Sequence, residues 1–363
     1  MNDRSEFLYV GSYTTDLPHV SGRGPGISLY RRDGTGRPME LVEEYEAVDV
    51  SFLVVAPSNR YIYGVEERLQ FNGSHTGSIV AYEVEPGTGR LTFLSRVPSE
   101  GAGPCHLTVS PNGAFVYAAN YYGANIAVLP VQKGGGLGEA IQVIAHSGSS
   151  THPARQQQPH PHYVLLDPQH RYVYVPDLGT DSIVVYEIHA DSGRLQGVSE
   201  TRVSPGAGPR HLKLHPDGTH LLGVNELDSS ACVYERVPAT GALRQHHQVS
   251  MLPADYGGDS TAAEIALHPG GRLAYVSNRG LDALTAIEFD ADTKTLNVLG
   301  HYPTRGRTPR HFCLDPSGGG LVVANQDSDT LVTFRIDSRS GALQQLGNPI
   351  VSLSPACVTW LPA

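Results

Sequence analysis

The chain has 363 residues and a formal net charge of −10, with 36 acidic against 26 basic side chains and no basic run. That balance argues against a nucleic-acid partner, which selects basic faces. Hydrophobic residues at 40% supply a core, no stretch reaches the roughly 18 apolar residues of a membrane span, and the four scattered cysteines read as reduced thiols of a cytoplasmic protein.

The polar start, residues 1–6, lacks the apolar centre of a signal peptide and leads straight into a strand-like run at residues 7–13. From there one pattern recurs. An apolar run ends in a proline, and nine residues later stands a short acidic or amide side chain. The pairs are Pro57 and Glu66, Pro111 and Asn120, Pro168 and Asp177, Pro216 and Asn225, Pro269 and Asn278, Pro316 and Asn325. Successive prolines lie 47 to 57 residues apart, the period of propeller blades. Between repeats come Val/Ile/Leu/Tyr-rich strands such as residues 183–188 and 331–336, and turns such as 85–91, 191–195 and 338–343 that carry a Gly suited to positive φ. No window keeps a 3.6-residue apolar period, so almost no helix is expected. Residues 147–150 and 155–161 form an insertion in the longest interval, and His246-His247 reads as an outer surface loop.

Six repeats follow the prolines. The tail, residues 354–362, matches their innermost strand and residues 7–13 match their second strand, so a seventh unit draws on both termini. The expectation is an all-β, seven-bladed β-propeller spanning residues 1–363 as one domain. Each blade has four antiparallel strands, and the two termini share the closing blade, which leaves no free sheet edge there.

Antiparallel pairing puts the start of each first strand beside the end of each second strand, at one mouth of the ring. Six residues before each proline stand Ser51, Cys105, His162, Arg210, Ala263, Arg310 and Ala356, then Phe52, His106, Tyr163, His211, Glu264, His311 and Cys357. Second strands end in Ser12, Glu66, Asn120, Asp177, Asn225, Asn278 and Asn325, then Tyr13, Glu67, Tyr121, Leu178, Glu226, Arg279 and Gln326. A structural position should repeat its residue, whereas the first column changes from Ser to Cys to His to Arg to Ala. His162, Arg210, Glu226, Arg279 and Arg310 therefore define a candidate site, and guanidinium groups in an acidic chain point to a small anionic substrate. His106, Asn120, Asp177, His211, Asn225, Asn278, Asn325 and Gln326 share the layer as candidate substrate contacts, although Asn and Asp at strand ends also serve as backbone caps.

His160-Pro161-His162 lacks a nearby third zinc ligand, and Glu66, Asn120, Asp177 and Asn225 are the oxygen ring in which calcium could be sought. No metal or other cofactor is expected. Neither a GxSxG elbow nor a P-loop is present, and the only tryptophan, Trp360, is followed by Leu, unlike Trp-Asp repeat scaffolds.

Gly208-Pro209-Arg210-His211-Leu212, Asn225-Glu226-Leu227, Tyr275-Val276-Ser277-Asn278-Arg279-Gly280, Pro309-Arg310-His311-Phe312, Ala324-Asn325-Gln326 and the opening Tyr9-Val10-Gly11-Ser12-Tyr13-Thr14 carry a resemblance. Across essentially its whole length the chain resembles the seven-bladed propeller lactonase family, which includes bacterial 6-phosphogluconolactonases and fungal carboxymuconate-lactonizing enzymes. The resemblance implies His162, Arg210, Glu226 and Arg279 as catalytic residues. It also implies hydrolysis of 6-phosphogluconolactone without a metal. His162, near its ordinary pKa, or Glu226 would be the base, Arg279 and Arg210 would stabilise the oxyanion, and Arg310 or an adjacent loop Arg would hold the phosphate. A carboxymuconate cyclase, a metal-dependent sugar lactonase and a non-catalytic scaffold are the alternatives. Residues 17–25 and 68–76 depart from the family pattern and are expected to overhang the pocket. The protein is expected to act as a monomer or weak homo-oligomer.

Overall fold

The computed structural model describes residues 6–32 and 39–362; the start of the polar leader lies outside them. Seven four-stranded antiparallel sheets follow one another along the chain. The closing blade runs Pro355–Trp360, Glu6–Ser12, Gly26–Arg32, Glu40–Glu46, with Leu8 opposite Trp360 and Val10 opposite Val358. The other blades begin at Val50, Pro104, Leu165, Pro209, Thr261 and Pro309. The expected seven-bladed propeller and its shared closing blade are what the chain forms. Among the described residues the only helix is one 3-10 turn, Gln326–Ser328, and no helix is long and apolar enough to cross a membrane.

The core lies between blades. The second and third blades, for example, interleave Tyr63, Val65, Ile79 and Ala81 with Leu107, Val116, Ala118 and Leu129, all buried. Both faces of an inner strand are covered, so these runs are apolar without alternation, and each fully buried aliphatic side chain contributes roughly 1.5–3 kcal/mol. Blades are also tied by hydrogen bonds. The Tyr9, Tyr63 and Tyr275 hydroxyls donate to the carbonyls of Gly89, Gly135 and Gly341 in the neighbouring blade's turn, at 2.6, 2.9 and 3.1 Å. Gly89 has φ +68° and lies so near the Phe7 ring that a Cβ would fall 2.8 Å from it, so the turn needs glycine twice over. His246 and His247 belong to the outermost strand Leu243–Ser250, not to a loop. His246 Nε2 contacts Glu235 at 2.7 Å and His247 Nδ1 accepts from the Leu296 N–H, so cross-strand partners hold both.

One irregularity recurs at the mouth of the ring. Pro209 pairs with Asn225 and His211 with Val224, leaving Arg210 as an extra residue. The same slip sets off Ser51, Cys105, Arg310 and Ala356, and a like one falls at Ala263. In the fourth blade an isolated Pro161–Asp177 bridge stands apart from the short strand Leu165–Leu166, so His162 is again outside the regular ladder. A bulge re-aims its side chain. Here it turns one residue per blade toward the axis.

Candidate active site

The mouth encloses a cavity of about 350 Å³ whose wall includes Glu67, Tyr121, His162, Glu226, Arg279 and Arg310. Four of these follow directly from strand geometry. Glu67, Tyr121 and Glu226 come one residue after the second-strand ends, and Arg279 ends its strand in the same register. The bulged positions supply Cys105, His162 and Arg310. Beneath lies a smaller axial cavity lined by Ser51, Phe52, Arg210, His211 and His311, with Cys105 and Arg310 shared between the two.

Glu226 is the electrostatic centre. Its side chain is buried, Oε1 accepts from Arg155 Nη2 at 2.6 Å, and Oε2 accepts from Arg210 Nε at 2.8 Å and Arg279 Nη2 at 2.9 Å. Burial acts to raise its pKa, but Arg279, Arg155 and Arg210 outweigh that and hold the carboxyl well below the usual range. A carboxylate clasped by three guanidiniums is a poor proton acceptor. Arg210 has its guanidinium fixed, since Nη1 also donates to the Ala263 carbonyl at 2.7 Å. Arg279 reaches the Thr261 and Ala262 carbonyls through Nε and Nη2, and among the described residues its Nη1 has no acceptor. Burial lowers its pKa to about 10, which leaves it cationic at neutral pH.

His162 is buried and its Nδ1 has no partner among the described residues. Burial, followed by Arg210 and His211, holds its pKa well below 6.5, so the expected near-ordinary value does not hold. The ring is neutral at pH 7 and free to take a proton. Opposite, Glu67 accepts from the Tyr13 hydroxyl at 2.8 Å and lies 3.6 Å from Arg310 Nη2, which donates no hydrogen bond within the described residues. Burial and Arg310 together lower the His19 pKa to about 4. Four guanidiniums thus face two carboxylates, a positive site in a chain of net charge −10.

Several expected contacts lie elsewhere. Asn120 donates to the Ser99 carbonyl and to Asn125, Asn225 to Ser230, Asn278 to Thr285, and Asn325 to the Thr304 carbonyl. Asp177 accepts the His160 and Gly179 N–H groups and pairs with His146. None lines the cavity, because side chains alternate along a strand and these point into the blades. Gln326 is bonded to Asp327, and His106 lies deeper, its ring 3.7 Å from that of Tyr163. His211 lies on the axis below the cavity. The supposed calcium ring does not converge either, for Glu66 is held by Arg96 and Ser78. Among the described residues the one compact metal-like cluster is His215, Asp217 and His220, on a turn at the opposite end of its strands. His215 Nδ1 accepts the Asp217 N–H there, as the His268 and Asp315 side chains accept the N–H two residues on in equivalent turns.

Residues 17–25 do reach the site, since Pro18 and His19 line the cavity beside a short hairpin, Asp16–Leu17 with Val20–Ser21. Residues 68–76 contribute nothing to the wall. The 155–161 insertion contributes Arg155, which was not among the expected site residues, and His160, which the sequence offered only as half of a zinc pair. The His160 ring stacks on Tyr121 at 4.1 Å. Its signal was present: the longest interval between prolines carries both side chains.

The arrangement offers a neutral imidazole, a guanidinium nitrogen without an acceptor among the described residues and a positive wall around one cavity. The family model "Lactonase, 7-bladed beta-propeller" matches residues 7–360. The chain is 31% identical over 354 residues to a 6-phosphogluconolactonase of Bacillus subtilis, covering 97% of both chains. It is 30% identical to one of Formosa agariphila, covering 95% of this chain and 96% of the relative. The solved periplasmic gluconolactonase PpgL of Pseudomonas aeruginosa superposes with a TM-score of 0.90 at 31% identity, covering 98% of this chain and 99% of that one. From seven blades, a bulge-lined mouth and these full-length likenesses together, the chain belongs to the seven-bladed β-propeller lactonase family.

Proposed function

We propose that the protein hydrolyses a sugar lactone, with 6-phosphogluconolactone as substrate and 6-phosphogluconate as product. The single observation that carries this reading is the neutral His162 facing the same cavity as Arg279, whose Nη1 has no acceptor among the described residues. His162 takes a proton from water as the water oxygen attacks the lactone carbonyl carbon. The carbonyl oxygen becomes an oxyanion beside Arg279. As the tetrahedral centre collapses, the ring C–O bond breaks and the departing alkoxide recovers the proton from His162, leaving a hydroxy acid. General-base assistance gives about 10²–10⁴-fold, and one oxyanion donor about 10²–10³-fold.

Glu226 does not serve as the base in this scheme. It neutralises and aligns Arg155, Arg210 and Arg279 so that a positive wall survives burial. Arg310, whose donors are unused among the described residues, is the group for the substrate's phosphate. A specific observation favours a second reading: Glu67 stands 3.6 Å from Arg310 and would repel a phosphate while accepting sugar hydroxyls. Gluconolactone, the unphosphorylated relative of the substrate, fits that feature, and PpgL carries that activity in its name.

The test is acid release, followed by titration at constant pH, from 6-phosphogluconolactone and glucono-δ-lactone, with and without a chelator. Preferential turnover of the phosphorylated lactone supports the first reading, and preferential turnover of the neutral one supports the second. Inactivity on both overturns lactone hydrolysis. Loss of activity on chelation restores the metal-dependent alternative.

A further inference from the structure

Below the catalytic cavity a second carboxylate, Glu264, is as buried as Glu226 and lines neither cavity itself. Its lone pairs are all engaged. Oε1 accepts from Lys213 Nζ at 3.1 Å and from the Ile265 N–H at 3.0 Å. Oε2 lies 3.1 Å from His211 Nδ1 and 2.9 Å from His311 Nε2. Lys213 in turn donates to the Tyr163 hydroxyl at 2.9 Å.

The partners fix which nitrogen of His211 carries the proton. Arg210 Nη1 lies 3.0 Å from His211 Nε2, and a guanidinium can only donate, so Nε2 accepts and the proton sits on Nδ1. Burial, followed by Arg210, lowers the His211 pKa to about 3, which leaves one proton to place. Glu264, accepting from Nδ1, holds that tautomer. His311 follows the same logic: its Nδ1 accepts the Val358 N–H at 3.3 Å, so Nε2 donates to Glu264. Arg210 therefore has three fixed acceptors, Glu226 Oε2, His211 Nε2 and the Ala263 carbonyl. Were His211 to shift its proton to Nε2, two donors would meet and the guanidinium would have to move from Glu226.

We propose that Glu264 is a positioning residue for the reaction: through the His211 tautomer it aims Arg210 at Glu226 and so orders the arginine cluster in the cavity above. The inference rests on the lactonase reading for its kinetic arm only. Its place in the ring is unusual, since the column-mates of Glu264 are Phe52, His106, Tyr163, His211, His311 and Cys357, none of them a carboxylate.

The test uses Glu264→Gln, Lys213→Met and the double variant, each as the full chain. Glu264→Gln leaves Lys213 as a part-buried cation without its carboxylate and can fail to fold, whereas the double variant removes both charges. Two readouts apply: kcat and KM on the lactone the parent turns over, and the His211 tautomer by nitrogen-proton NMR. The parent is expected to show the Nδ1–H form. The double variant is expected to lose or invert that preference, with kcat down roughly ten-fold and KM within about two-fold, the mark of a misaimed group rather than lost binding. Lys213→Met, which keeps Glu264 and both imidazoles, is expected to retain the tautomer and the parental kcat. A double variant with parental kcat overturns the proposal. So does a parental Nε2–H tautomer, or a Lys213→Met variant as slow as the double. The NMR arm stands even if neither lactone is turned over, which separates failure of this inference from failure of the proposed function.

Discussion

Two columns of side chains stand side by side at the same mouth of the ring, and they behave oppositely. The second-strand ends, from Ser12 and Glu66 through Asn325, vary little and spend their hydrogen bonds on backbone and on neighbouring strands. The bulged first-strand positions, from Ser51 through Ala356, vary from Ser to Arg and face the axis. Each Asn or Asp ties its strand end to nearby backbone or to the segment that enters the blade, so every blade needs the same chemistry. Each bulged residue works for the ring as a whole, so seven positions holding five residue types can divide one task. In a repeat fold the constant position is scaffold, and the varying one is where a site can be assembled.

Substitutions on either side sharpen this contrast. The largest effect is expected for His162→Ala, a fall in kcat of about 10²–10⁴-fold. A base works deprotonated, so its rate is full above its folded pKa and lost as pH falls through it. Because burial and Arg210 hold that pKa well below 6.5, kcat/KM should stay level from pH 7.5 down through 6.5 and drop only further down. An acid limb centred at 6.5 would remove His162 from this role. Arg279→Ala should follow, with a loss of about 10²–10³-fold in kcat. Single-turnover kinetics that left the chemical step unchanged would move Arg279 from oxyanion to scaffold.

Glu226→Gln probes the clasp itself. Breaking a buried ion pair costs about 3–5 kcal/mol. The folded pKa of Glu226 is depressed, so its stabilisation is fully present above the unfolded value of roughly 4.3 and is lost as pH falls through the folded value. Urea melts should therefore show the full deficit at pH 7 and a smaller one on acidification toward the folded value. Equal deficits at every pH would mean that charge pairing is not what the side chain supplies. The smallest effect belongs to the other column. Asn120→Ala should cost about 1–3 kcal/mol of stability, from the orphaned Ser99 carbonyl and Asn125, with kcat of the folded enzyme unchanged. A ten-fold loss of kcat there would erase the distinction between the columns.

Much of this was legible in the chain. The proline period, the turn glycines and the matching end segments lead to seven blades and the shared closing blade, because each blade must bury its faces against the next and the pattern repeats with it. The register also placed His162, Glu226, Arg279 and Arg310 in one layer. It did not separate Asn225 from Glu226, adjacent residues of which one caps a strand and the other lines the cavity, since a column argument treats neighbours alike. Nor did it disclose Arg155, which comes from an insertion that no repeat constrains.

What the sequence determined by itself is therefore the ring and the height at which its chemistry sits, for both follow from local period and alternation. What the tertiary structure alone decided is protonation and partnership. Glu226 is bound by Arg155, Arg210 and Arg279 from three separate stretches, and His162 is neutral because burial and a distant guanidinium make it so. Charge interactions act through space and low dielectric, across distances in the chain that no local pattern encodes.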